Sequence, residues 1–260
     1  MTKRTLVNAM VATAFFTLAA CGQGGSSTSS EALSDQSTQA VAADDKSDEQ
    51  AFNADDQSEN GKPEDMIEEQ VSEGEISTMA TRAAVLAKYD YVDPSKVVPS
   101  TALGNALVYF ENNKSRIKNR DYISVIDFSK SSRKARFHII NMNTGKVWSI
   151  HVAHGKGSDT NHDGYAERFS NTSGSKMSSL GYYITGSTYV GSHGTSLKLD
   201  GMSSTNSNAR GRAIVVHGAD YVSESNVIQG RSWGCPAVAT SLKTKVINML
   251  KNGSLIYAVK

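Results

Sequence analysis

Two short segments combine residue types able to do nucleophilic chemistry. In Ile214-Val215-Val216-His217-Gly218-Ala219-Asp220, a run of β-forming residues delivers a histidine onto a glycine. In Gly230-Arg231-Ser232-Trp233-Gly234-Cys235-Pro236-Ala237, a cysteine follows Gly234, whose missing side chain allows a tight turn and close backbone approach. A thiol at its ordinary pKa is mostly protonated at neutral pH, and a nearby imidazole can take the proton and hold the thiolate. Arg231 would favour the thiolate in the same way. A tight turn through Ser232, Trp233 and Gly234 would expose backbone N–H groups suited to an oxyanion. His154 lies in a second glycine turn, Val152-Ala153-His154-Gly155-Lys156, with two readings open: a cleft border or a structural role.

The rest of the chain must present these residues. The chain has 260 residues and only two cysteines, Cys21 and Cys235. Lys3 and Arg4 precede an apolar run from Val11 to Ala20, the layout of an export signal and too short for a mature membrane span. The run ends Leu18-Ala19-Ala20-Cys21, which resembles the bacterial lipoprotein box, in which the cysteine is lipidated and becomes the first residue. That resemblance implies an exported, membrane-anchored protein facing the periplasm. Gly22 after the cysteine points to the outer membrane in a Gram-negative cell. With Cys21 committed to lipid, Cys235 has no partner for a disulfide within the chain, although an oxidising compartment usually pairs its cysteines.

The net charge of +1 conceals a strong asymmetry. Gly22 to Ala80 holds fifteen Asp and Glu against two Lys, a net charge of −13, and Phe52 is its only aromatic. Such a composition cannot bury enough apolar surface to offset chain entropy, so residues 21–80 read as a disordered, self-repelling tether. Its unperturbed span would be roughly 45 Å. From Thr81 onward the net charge is +12, which suits a substrate rich in carboxylates.

The boundaries that follow are a signal segment over 1–20, the tether over 21–80, a short helical segment over 81–120 and a catalytic domain over 121–260. In the helical segment, Leu103, Ala106, Leu107 and Phe110 recur at helical spacing within 101–113, with Thr101 as the expected N-cap. Strands are expected at 122–128, 136–142, 146–152, 182–185, 196–199, 213–216 and 255–259, with a helix over 241–251 capped by Ser241. Many short strands with glycine-rich turns argue for a mainly β fold, a sandwich or partly closed barrel.

His217, fourteen intervening residues, then Ser232-Trp233-Gly234-Cys235 resembles the active-site signature of the L,D-transpeptidases, the YkuD-type peptidoglycan enzymes. Most members carry a second histidine where this chain has Trp233. That departure is similar to the branch of murein L,D-transpeptidase catalytic domains. The branch also resembles this chain at Val125-Ile126-Asp127-Phe128-Ser129-Lys130, 152–156, Ser178-Ser179-Leu180-Gly181-Tyr182-Tyr183 and 217–223. The resemblance implies Cys235 as nucleophile, His217 as general base, and Gly218 at the position whose backbone carbonyl orients the imidazole. Ser232 fills the Ser/Thr position. The implied substrate is a peptidoglycan stem tetrapeptide, cleaved through an acyl-enzyme that an amine resolves. Resolution by water would make the protein an L,D-carboxypeptidase, and a lipoprotein that only binds the cell wall is the non-catalytic alternative. The implied chemistry needs no metal or cofactor, and no nucleic acid partner is expected.

One weaker pattern stands apart. Asp159, Asn161, Asp163 and Gly164 match the opening of a calcium loop, but Ser170 stands where a bidentate Glu is required. A plain polar loop is the expectation.

Overall fold

The computed structural model describes residues 82–260; the expected signal segment and tether lie outside the described residues. Helix α1 (Arg82–Lys88) is followed by α2 (Ser100–Asn112). Eight strands follow, β1 (Tyr122–Asp127), β2 (Phe137–Asn141), β3 (Val147–Ile150), β4 (Gly181–Gly191), β5 (Gly194–Gly201), β6 (Val215–Ala219), β7 (Ala237–Ala239) and β8 (Leu255–Val259), with α3 (Thr240–Leu250) between the last two. They form one mainly β, nearly closed barrel-like sheet in the order β3-β2-β1-β8-β4-β5-β6-β7. Among the described residues no helix is long and apolar enough to cross a membrane.

Strand β1 is buried along almost its whole length because both of its faces are covered. Ile123 and Val125 pack with Leu107 and Phe110 of α2, while Ile126 joins Phe137, Ile139 and Leu197 on the other side. This explains a near-continuous apolar run where a half-solvated strand would alternate. Ring stacking and a carboxylate fix the helical layer. Tyr109 of α2 stacks on Tyr182 of β4 at 3.9 Å between centroids, and Tyr182 stacks on Tyr257 of β8 at 4.4 Å. Glu111 accepts hydrogen bonds from Lys88 Nζ at 2.6 Å and Tyr89 Oη at 2.5 Å, tying α1 to α2.

Helix ends differ from the expectation. Pro99 occupies the N-cap of α2 and Ala239 that of α3, neither with a side-chain bond, so Thr101 and Ser241 lie inside their helices. Strands β4 and β5 are longer than their apolar cores suggest. They pair as an antiparallel hairpin closed by Ser192 and His193, with a register irregularity between Thr185 and Thr188.

The pairing that matters most joins β6 and β7. They run parallel, with His217 opposite Ala237, Gly218 opposite Val238 and Ala219 opposite Ala239. A parallel pair needs a long crossover. Here it spans residues 220–236, and its last stretch is the turn that carries Cys235.

Candidate active site

Cys235 precedes β7 by two residues, so the register of β6 and β7 brings it beside the strand that carries His217. It is in no disulfide, is 9 % exposed, and its Sγ lies 3.7 Å from the carbonyl of Ala213, just upstream of β6. The turn is shaped from within. Ser232 Oγ donates to the Cys235 carbonyl at 2.7 Å and accepts from the Gly234 N–H at 3.1 Å. Both the hydroxyl of Ser232 and the amide of Gly234 are therefore spent on the turn itself. Gly234 adopts φ +124°, and a Cβ there would sit 2.6 Å from the carbonyl of Met177, so only glycine fits.

A second segment braces this turn. The Ser232 N–H donates to the His154 carbonyl at 3.0 Å, the Lys156 N–H to the Ser232 carbonyl at 2.7 Å, and the Ala153 N–H to the Ala237 carbonyl at 2.9 Å. Ser178 Oγ accepts from the Gly155 N–H at 3.0 Å and donates to the Gly234 carbonyl at 3.2 Å, linking both to the 170–179 loop.

His217 is fully buried, and its Nδ1 lies 3.2 Å from the carbonyl of Gly218. A carbonyl only accepts, so Nδ1 carries the proton and Nε2 holds the lone pair of the neutral ring. This is the tautomer a base requires.

His154 has a different environment. Its Nδ1 lies 2.6 Å from Arg136 Nη2, which can only donate, so its proton sits on Nε2 and is given to Asp159 Oδ2 at 3.1 Å. Arg136 is fully buried and also donates to the carbonyls of Val152 and Lys130. Arg231 donates from Nη1 to the Asp159 carbonyl. The structure thus places the side chains of His154 and Arg231 in a buried polar network around Asp159 that supports the Cys235 turn. Asp159 also accepts from the N–H groups of Asp163 and Gly164, and Asn161 donates to Asp163. These bonds close the 159–164 loop on itself. Among the described residues no three His, Cys, Asp or Glu side chains gather as a metal site.

A buried charge coupled to the thiol comes from a residue that sequence reading passed over. Arg212 is 4 % exposed and donates to the carbonyls of Ser170 (2.7 Å) and Met177 (2.6 Å) and the hydroxyls of Ser179 (3.4 Å) and Ser175 (3.3 Å). Its Nη2 lies 3.2 Å from where a Gly234 Cβ would stand. Burial pulls its guanidinium down in pKa, and negative charge on Tyr183 or Cys235 pushes it back up, so thiolate and guanidinium stabilise one another. No local signal marks Arg212, because its partners lie more than thirty residues away. Trp233 is half-buried, with Lys176 Nζ 3.7 Å from its ring centroid.

Residues 94–259 match the family described as the L,D-transpeptidase catalytic domain. The chain belongs to this family. Three solved structures are similar to it. One is the LD transpeptidase LdtMt1 in complex with imipenem (15 % identity, 54 % of this chain and 59 % of that one, TM-score 0.34). The second is L,D-transpeptidase 1 of Mycobacterium tuberculosis (14 %, 54 % and 62 %, 0.31), and the third an L,D-transpeptidase of Xylanimonas cellulosilytica (16 %, 53 % and 60 %, 0.32). The chain thus spans about three-fifths of the length of these relatives. No curated protein matches.

Two buried histidines are expected to make this L,D-transpeptidase-family domain less stable in acid. His138 and His154 are each pulled from 6.5 to about 4, chiefly by burial. Between those values the unfolded chain binds more protons than the native one. The stability from their burial is therefore complete above pH 6.5 and lost as pH falls towards 4. Each contributes on the order of 3 kcal/mol across that window. His151 acts oppositely: Glu224 raises its pKa, so its contribution is present at low pH and lost as pH rises through that raised value. The urea midpoint is expected to fall steeply from pH 7 to pH 4, and His138→Asn to flatten part of that slope. A midpoint constant over this range would show that neither histidine is held neutral.

Proposed function

We propose that this protein is a cysteine-dependent L,D-transpeptidase acting on peptidoglycan stem tetrapeptides. Family membership supports the reaction class, and the parallel register that brings the Cys235 turn beside His217 is the observation that carries the mechanism. His217 Nε2 takes the thiol proton. The Cys235 thiolate adds to the carbonyl carbon of the third stem residue, and the tetrahedral intermediate collapses with loss of the terminal D-alanine, protonated by His217. A thioester remains on Cys235. An amine from a second stem then attacks the thioester, gives its proton to His217 and leaves as a new amide, a 3–3 crosslink, while the thiol is restored. The +12 charge from Thr81 onward favours approach of the carboxylate-rich substrate. Lipidation at Cys21 and the 21–80 tether would hold the domain at a membrane, facing the periplasm and within reach of the wall.

Incubation of the purified protein with disaccharide-tetrapeptides, followed by mass analysis, tests the reaction. Crosslinked dimers lacking one D-alanine are expected. Disaccharide-tripeptide as the only product would assign the same dyad to L,D-carboxypeptidase action. Unchanged substrate would favour a lipoprotein that only binds the wall.

A further inference from the structure

A second imidazole lies against the proposed base. The ring centroids of His193 and His217 are 4.0 Å apart, with the planes tilted by 32°. His193 comes from far away in the chain, at the two-residue tip of the β4–β5 hairpin between Gly191 and Gly194. The tip is held in place by α3, because Lys243 Nζ donates to the His193 carbonyl at 3.2 Å. The aliphatic stem of the same lysine lies flat on Gly218, where a Cβ would come within 2.7 Å of Lys243 Cδ. One side chain thus touches both the hairpin tip and the residue whose carbonyl orients His217.

We propose that His193 is a positioning residue for His217, with Lys243 latching the hairpin that carries it. The inference rests on the reading of His217 as the base of the Cys235 reaction. The Nδ1–H bond to Gly218 sets the tautomer. A flat ring laid on one face of His217 restrains its tilt and keeps water off that face. The contact also couples the two rings electrostatically: two imidazolium charges at this distance repel, so adding a proton to one ring disfavours adding one to the other. The titratable and charged groups brought to β6 and the thiol are His193 from the hairpin, Lys198 of β5 opposite Val215, Lys243 from α3, Arg212 just upstream of β6 and the Cys235 thiol from the turn before β7.

The test uses the purified full chain with carbon-13-labelled histidine, following the ring Cε1–H signals against pH, and steady-state kinetics on a tetrapeptide substrate. His193→Ala is expected to raise the pH at which His217 titrates by roughly half a unit or more, since water and a proton regain access. It should lower kcat roughly tenfold with little change in KM, as loss of orientation does. His193→Phe keeps a flat ring without a titratable group. It should recover most of kcat while His217 titrates in a single step. Lys243→Met, which frees the tip, should reproduce part of the alanine effect. Unchanged melting temperatures would show that each variant folds. An unchanged His217 titration in His193→Ala overturns the proposal. A shifted His217 titration in a protein whose turnover survives His217→Ala would instead refute the catalytic reading and leave the ring pairing standing.

Discussion

Cys235→Ser is expected to reduce acyl transfer by on the order of 10⁴-fold or more, with loss of any covalent substrate adduct in intact-mass spectra. The reason is chemical rather than steric. A serine hydroxyl is far less acidic than a thiol, and nothing around the turn is built to generate an alkoxide. The hydroxyl keeps a donor near the Ala213 carbonyl, 3.7 Å from the sulfur, so the fold should survive within about 1 kcal/mol. This separation makes the variant decisive. Cys235 is the one cysteine among the described residues. If the serine variant turns over within tenfold of the parent, no thiol there carries the reaction and the wall-binding alternative gains.

Arg212→Met is expected to damage stability and thiol reactivity together. It orphans the carbonyls of Ser170 and Met177, at about 1–3 kcal/mol each. For a domain of this size that corresponds to a melting temperature lower by roughly 5–15 °C. It also removes the buried positive charge that stabilises the Cys235 thiolate, so alkylation of Cys235 by iodoacetamide near pH 7 should slow by about tenfold under native conditions. Arg212→Lys separates the two effects. A single ammonium restores charge but cannot span four acceptors, so reactivity should recover more than stability. A methionine variant that melts and alkylates like the parent would show that the guanidinium neither holds the loop nor acts on the thiol.

The site was legible where chemistry sits close in the chain. The glycine at 234, the serine at 232 and the cysteine at 235 form a turn closed by bonds within four residues, and the local sequence alone implies such a turn. His217 and Gly218 are likewise adjacent, so the tautomer follows from one backbone carbonyl. His154 and Arg231 were harder to place. Their residue types suit a cleft, but both side chains turn to Asp159, and that preference exists only once the 159–164 loop has folded. Arg212, His193 and Lys243 left no local trace. An arginine in a polar stretch, a histidine in a hairpin turn and a lysine on a helix read as solvated residues until the partners are in place.

Strand period and glycine turns are local properties, so the sequence specified the mainly β class, most of the elements and the turn at Cys235, while the pairing of Cys235 with His217 was an expectation from motif resemblance. The sequence also determined the charge division at about residue 80, whose −13 and +12 halves need no structure to be read. The tertiary structure alone decided the parallel register of β6 and β7 that brings Cys235 beside the strand of His217. It alone decided that Arg212 supplies the buried charge and that a hairpin tip lays His193 on His217. Those contacts join residues tens of positions apart, and no local pattern encodes them. They exist only when burial of both faces of β1 and closure of the sheet have fixed where each strand ends.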